Sequence, residues 1–185
     1  MRRLLCMALV ALGCMSVNAQ NAFNKGDKVI SLGVGLGDFI GGSGYSTSIP
    51  PIALSGEVGI VDGLINDRAS IGVGGYVAYL SKKYEQNIMS TTLSFDYTYI
   101  IFGARGAFHY QFVDKLDTYA GVLLGYNAAS VDLSDGDSSY KPDAAGGIAY
   151  ATYVGAKYYF TPNFAAYAEL GYGIAALELG VAIKF

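Results

Sequence analysis

Few side chains in this 185-residue sequence could do chemistry. His109 is the single histidine, and the two cysteines, Cys6 and Cys14, fall near the start. A histidine acts as a general base only beside a nucleophile and an orienting group. Spacing marks no such partner here, Asp114 being the nearest acid in sequence. The run DLSDGDSS (Asp132–Ser139) gathers three aspartates, yet a calcium loop needs D-x-[DN]-x-[DN]-G and this reads D-x-x-D-G-D. A solvated loop is expected there. GVGLGDFIGG (Gly33–Gly42) looks like a phosphate cradle. In the dinucleotide pattern, however, the third glycine position holds Asp38 or Ile40, no helix follows, and there is no Gly-Lys-Ser/Thr element. No catalytic constellation, cofactor site or metal site is legible, and the chain is not expected to be an enzyme.

Six charges remain, Glu57, Arg105, Lys157, Glu169, Glu178 and Lys184. Their meaning depends on the elements that carry them. The period is two almost everywhere. Val29–Gly37 sets Ile30, Leu32, Val34 and Leu36 against Ser31, Gly33, Gly35 and Gly37. Ile52–Ile60, Ala69–Tyr79, Thr98–Tyr110, Thr118–Tyr126, Tyr150–Phe160 and Ala165–Gly173 alternate in the same way. The ending ALELGVAIKF places Leu177, Leu179, Val181, Ile183 and Phe185 on one side. Strict alternation predicts strands between two environments, and there are eight of them. All six charges fall on the face of Gly, Ser, Ala and Tyr.

Composition says which face meets what. Charged residues make up 15% of the chain, against roughly 25% in soluble proteins. No apolar run of helical-span length follows the N-terminus. The first residues, MRRLLCMALVALGCMSVNAQ, read as a secretory signal with a basic start, an apolar stretch and a Val17-Asn18-Ala19 cleavage site. Residues 1–19 are the expected signal, 20–28 a short periplasmic lead, and 29–185 the folded domain. Cys14 as a lipidated N-terminus fits poorly, because the lipoprotein box lacks its Leu at Ala11. Cleavage after Ala19 leaves no cysteine, hence no disulfide. It also leaves ten basic against fifteen acidic residues, a balance that argues against nucleic-acid binding.

A small polar face makes a poor dry core, whereas the Ile, Leu, Val, Phe and Tyr face suits hydrocarbon. The expected fold is all-β, a closed eight-stranded antiparallel up-and-down transmembrane barrel. The sheet must close because lipid leaves open edges unsatisfied. Long polar connections (Asp38–Pro51, Ser81–Tyr97, Asn127–Gly147) alternate with short ones (Val61–Arg68, Val113–Asp117, Thr161–Phe164), and a very tight one lies at Ile174–Ala176. Long loops at one end and short turns at the other are the habit of outer-membrane barrels.

TPNFAAYAELGYG (Thr161–Gly173) and the ending LELGVAIKF resemble the small outer-membrane barrels of the OmpA transmembrane-domain and OmpX type, and the Bacteroidota "porin family" barrels. The resemblance covers about residues 27–185. It implies an outer-membrane location in a Gram-negative bacterium, a monomer, and Phe185 as a signal read by the barrel assembly machinery. The partners it implies are outer-membrane lipid and lipopolysaccharide. It specifies architecture better than activity.

Two readings of the six charges follow. One is a salt-bridge network that plugs the lumen, leaving a structural or surface-interaction role carried by extracellular loops and their ligand. The other is a charged constriction in a small-solute channel. A lipid-modifying enzyme is the weakest reading. His109 faces inward near the short-turn end, whereas lipid-cleaving sites sit toward the outer leaflet. The TPNF turn places Lys157 almost opposite Glu169, so these two are expected to pair, with Arg105 contributing from across the barrel.

Overall fold

The computed structural model describes residues 22–40, 45–88, 91–133 and 146–185. The expected signal peptide, Cys6, Cys14 and most of the Asp132–Ser139 run lie outside them. The alternating segments form eight antiparallel strands that close in chain order. They are β1 (Lys28–Asp38), β2 (Tyr45–Gly63), β3 (Ala69–Ile88), β4 (Thr91–Val113), β5 (Leu116–Leu133), β6 (Gly147–Tyr159), β7 (Phe164–Tyr172) and β8 (Ala175–Lys184).

Closure is made by β1 against β8, from Val29 opposite Lys184 to Asp38 opposite Ala175. Phe185 extends this seam, its N–H donating to the Lys28 carbonyl at 2.8 Å. The final residue is thus held by the first strand, and the seam between β1 and β8 leaves no open edge there for lipid to meet.

Alternation places the two faces. Ile30, Leu32, Val34, Val77, Leu124 and Leu179 point outward and are exposed. Outward aromatic residues gather toward both ends, with Phe112, Tyr158, Phe160 and Phe164 at the short-turn end and Tyr79, Phe102, Tyr126 and Tyr172 nearer the other. Two aromatic girdles around an aliphatic band match a bilayer with its two interfaces.

The strands run further than the alternation of apolar residues suggests. The long loop expected over Ser81–Tyr97 is mostly a hairpin, with Lys82 opposite Tyr97 and Ile88 opposite Thr91. β5 likewise continues to Leu133, pairing Val131 with Tyr97. The Val113–Asp117 turn narrows to Asp114-Lys115, because Val113 already pairs with Leu116. Between β2 and β3, the turn Leu64–Asp67 holds Ile65, Asn66 and Asp67 at positive φ.

A second departure concerns the expected periplasmic lead. Residues 22–27 fold back into the short-turn mouth. Ala22 and Phe23 are buried. The Ala22 N–H donates to Gln111 Oε1 at 2.6 Å, and Ser70 Oγ donates to the Phe23 carbonyl at 3.1 Å. Lys184 Nζ donates to the Ala22 carbonyl at 3.1 Å. This strap is tied to β3, β4 and β8, and it stops the lumen from below.

Candidate functional site

The small face is small because tyrosines need the room. Tyr119 of β5 stands opposite Gly155 of β6, and Tyr153 of β6 stands opposite Gly121 of β5. A Cβ on Gly155 would lie 2.5 Å from Tyr119 Cζ, and one on Gly121 would lie 2.5 Å from Tyr153 Cζ. Each ring therefore lies over the glycine facing it. Two rings fill a cross-section that two smaller side chains would leave open to water.

Within this frame the charges form two connected groups. Toward the strap, His109 of β4 lies between two acids. Its Nδ1 is 2.9 Å from Asp117 Oδ1, and its Nε2 is 2.8 Å from Glu57 Oε1. A doubly protonated imidazole donates to both, whereas a neutral ring has one donor only. Lys157 Nζ stands 3.5 Å from Glu57 Oε2 and 4.0 Å from Asp117 Oδ2. It also lies 3.9 Å from the centre of the Tyr119 ring. Phe23 closes the group from below, stacked on His109 with centroids 4.2 Å apart.

Nearer the middle, Arg105 Nη2 donates to Glu169 Oε2 at 2.8 Å across the barrel, and its Nε donates to the Tyr153 hydroxyl at 3.0 Å. Glu169 and Glu178 are direct cross-strand neighbours, a like-charge pair that costs energy unless each is separately held. Each is. Glu169 accepts from Arg105 and from the Tyr119 hydroxyl at 3.1 Å. Glu178 accepts from Tyr76 at 3.1 Å and Tyr167 at 2.5 Å. A cavity of about 20 Å³ remains beside these groups, about the space of one water.

Five of the six singled-out charges, Glu57, Arg105, Lys157, Glu169 and Glu178, are thus buried in the lumen. Lys184 stands apart at the rim, 3.5 Å from Asp27 of the strap. The expected Lys157–Glu169 pair is corrected. The turn after β6 closes with the Phe160 N–H on the Phe164 carbonyl at 2.9 Å. That register sets Lys157 opposite Tyr167, and Glu169 opposite Gly155. The displacement leaves Lys157 to Glu57 and Asp117, and Glu169 to Arg105. His109 and Asp117 complete the network. Asp117 escapes the sequence reading because it looks like a turn residue and instead begins an inward-facing run.

Among the described residues no three His, Cys, Asp or Glu side chains are set to hold a metal ion. Gly33 and Gly35 are inward strand positions. Gly37 is different: its φ of 65° shifts the phase of the strand end and turns Asp38 inward. There Asp38 makes a buried ion pair with Lys82 of β3.

A closed barrel with a hydrocarbon-facing exterior, two aromatic girdles and a filled polar lumen is an integral barrel of the outer-membrane class. Solved structures agree in fold. Ail, the attachment invasion locus protein of Yersinia pestis, is similar with a TM-score of 0.54 at 16% identity, covering 87% of this chain and 99% of Ail. OprG of Pseudomonas aeruginosa is similar with a TM-score of 0.56 at 11% identity, covering 90% of this chain and 99% of OprG. No protein-family model matches the chain, and no curated protein matches its sequence.

Proposed function

We propose that this protein is a surface-interaction and structural protein of the outer membrane, a plugged anchor that holds recognition elements above the bilayer. The observation that carries this reading is the filled lumen. Arg105, Glu169, Glu178 and the surrounding tyrosines interlock around a cavity of about 20 Å³, and the Phe23 strap stops the short-turn end. Eight strands leave an interior only just wide enough for side chains. A solute would have to break several buried ion pairs to pass. With transport disfavoured, what is left to meet the outside is the long-loop rim and the projecting β3–β4 hairpin. The likeness to Ail, whose structure was solved with the heparin analogue sucrose octasulfate, supports a binding role. The reading includes no reaction, a monomeric barrel, contact with lipid and lipopolysaccharide, and delivery by the barrel assembly machinery.

Planar bilayers test it. The expected result is no stable high-conductance state from the purified protein. A steady, weakly selective current from most inserted molecules would overturn the reading and make the barrel a channel.

A further inference from the structure

The barrel wall is split at its long-loop rim. Between β1 and β8 the ladder runs up to Asp38 opposite Ala175. Between β1 and β2 it stops four residues lower, at Val34 opposite Ile52. The cause is in the sequence of β2. Pro50 and Pro51 have no N–H to donate and force register shifts on both sides of Ile49. Above this point β2 stays with β3 and leaves β1. Gly35–Asp38 therefore present backbone polar groups that belong to no ladder with β2.

An open cleft of about 780 Å³ fills the split, lined among others by Asp38, Tyr45, Thr47, Pro51 and Lys82. That volume is ordinary for a small-ligand site. Its walls have a definite chemistry. Thr47 Oγ1 donates to Asp38 Oδ2 at 2.9 Å across the gap, and Asp38 holds the Lys82 ammonium. Both charged side chains are more than nine-tenths buried, at 6% and 7% exposure, so the cleft has no net formal charge from this pair. An ammonium carries three donors, and Asp38 occupies one. Tyr45 is fixed at one wall by two other rings, Tyr84 at 5.1 Å and Tyr97 at 5.0 Å between centroids. A rigid aromatic wall loses little entropy when a ligand lies against it.

We propose that this split is a binding site for an uncharged sugar of one or two rings at the end of a surface glycan. The proposal rests on the surface-interaction reading above and names the ligand class. A pyranose has an apolar C–H face that lies on an aromatic ring, and an equatorial rim of hydroxyls that both donate and accept. The cleft supplies the counterpart of each, with the Tyr45 ring for the face, and Asp38, Thr47, Lys82 and the β1 backbone for the rim. A sulfated sugar would need uncompensated cations, and the Lys82 charge is already matched. Pro50 and Pro51 remove backbone donors from β2, so an added peptide strand would meet an incomplete ladder on that side.

The test uses the full-length protein extracted from membranes into detergent micelles, titrated calorimetrically with cellobiose, lactose, chitobiose and sucrose octasulfate. At least one neutral disaccharide is expected to bind with Kd of about 1 mM or tighter, and sucrose octasulfate no more tightly. Tyr45→Ala and Asp38→Asn should each weaken binding at least about tenfold, with Phe102→Ala on the lipid face as the unaffected control. Thr47→Val serves as a second reading of the cleft where Tyr45→Ala loses its folded, heat-sensitive gel mobility. Competition by polysaccharide released from the cells' own lipopolysaccharide would make the bacterial surface the sugar's source, and its absence a foreign glycan. Failure of every neutral disaccharide to bind, or binding indifferent to Tyr45, Asp38 and Thr47, would overturn the proposal. So would tighter binding of sucrose octasulfate than of any neutral sugar. A silent planar bilayer beside absent sugar binding sinks this site alone, whereas a steady current sinks the surface-interaction reading itself.

Discussion

Phe23 stacks on His109 with ring centroids 4.2 Å apart and planes inclined by 26°. The contact joins the residue that stops the short-turn mouth to the histidine held between Glu57 and Asp117. A buried imidazole bridging two acids keeps its geometry only where water is excluded, and Phe23 excludes water from below. Phe23→Ala should lower the stability of the folded barrel by about 3 kcal/mol, as for a buried Phe cut to Ala. Urea unfolding in micelles measures this. A midpoint unchanged from the parent would mean that the strap does not seat in solution.

The Tyr119–Gly155 arrangement gives a second test. A methyl group on Gly155 meets the Tyr119 ring at 2.5 Å, and the ring cannot retreat because its hydroxyl is bonded to Glu169. Gly155→Ala should therefore cost about 1–3 kcal/mol, the usual range for overpacking. Gly56 in β2 has nothing within 4 Å of its would-be Cβ, so Gly56→Ala should leave stability nearly unchanged. Equal effects at the two positions would contradict the packing described.

Phe185 closes the seam by exchanging backbone bonds with Lys28, at 2.8 Å and 3.4 Å. Its side chain is exposed on the lipid side. The proposed role as an assembly signal predicts that deleting Phe185 lowers the amount of barrel in the outer membrane several-fold while the exported amount is little changed. Normal outer-membrane levels under native expression would remove that role and leave only the seam contact.

Much of the fold can be read from the chain because lipid and lumen impose opposite demands on successive residues, so faces and strands follow from parity. Ile30 and Ser31, or Phe108 and His109, reveal their sides without any structure. Three features resist such reading, each for its own reason. The strap AFNKGD (Ala22–Asp27) has no period, and only Phe23 hints that its first residues are buried. The hairpin from Ser81 to Tyr97 has Ser81, Lys83, Glu85, Ser94 and Asp96 on one face and mixes Lys82 with Tyr84, Phe95 and Tyr97 on the other, so its first strand looks like loop. Partner choice in the lumen depends on register, which is set by how a turn closes. A shift of two residues keeps every side chain on its face but changes its neighbour.

That shift can be tested directly. Lys157 lies beside Glu57 at 3.5 Å and not against Glu169, which is bound by Arg105 at 2.8 Å. Breaking a buried pair by removing one partner leaves an uncompensated charge, at a cost of about 3–5 kcal/mol where burial is deep. Partners in contact then show coupling, since the second removal costs less than the first. Two double-mutant cycles on urea stability compare Lys157→Met with Glu57→Gln, and Lys157→Met with Glu169→Gln. The first should show coupling of about 1–3 kcal/mol. The second should show less, because Tyr119 alone bridges the two, with its ring against Lys157 and its hydroxyl on Glu169. A third cycle, Arg105→Met with Glu169→Gln, should couple as strongly as the first or more so, since its hydrogen bond is shorter and also links β4 to β7 across the lumen. If Lys157 couples more strongly to Glu169 than to Glu57, the β6–β7 register in the membrane is not the one described. Additive behaviour in all three cycles would mean that water screens the charges, and a wet lumen of that kind would favour permeation over a plugged anchor.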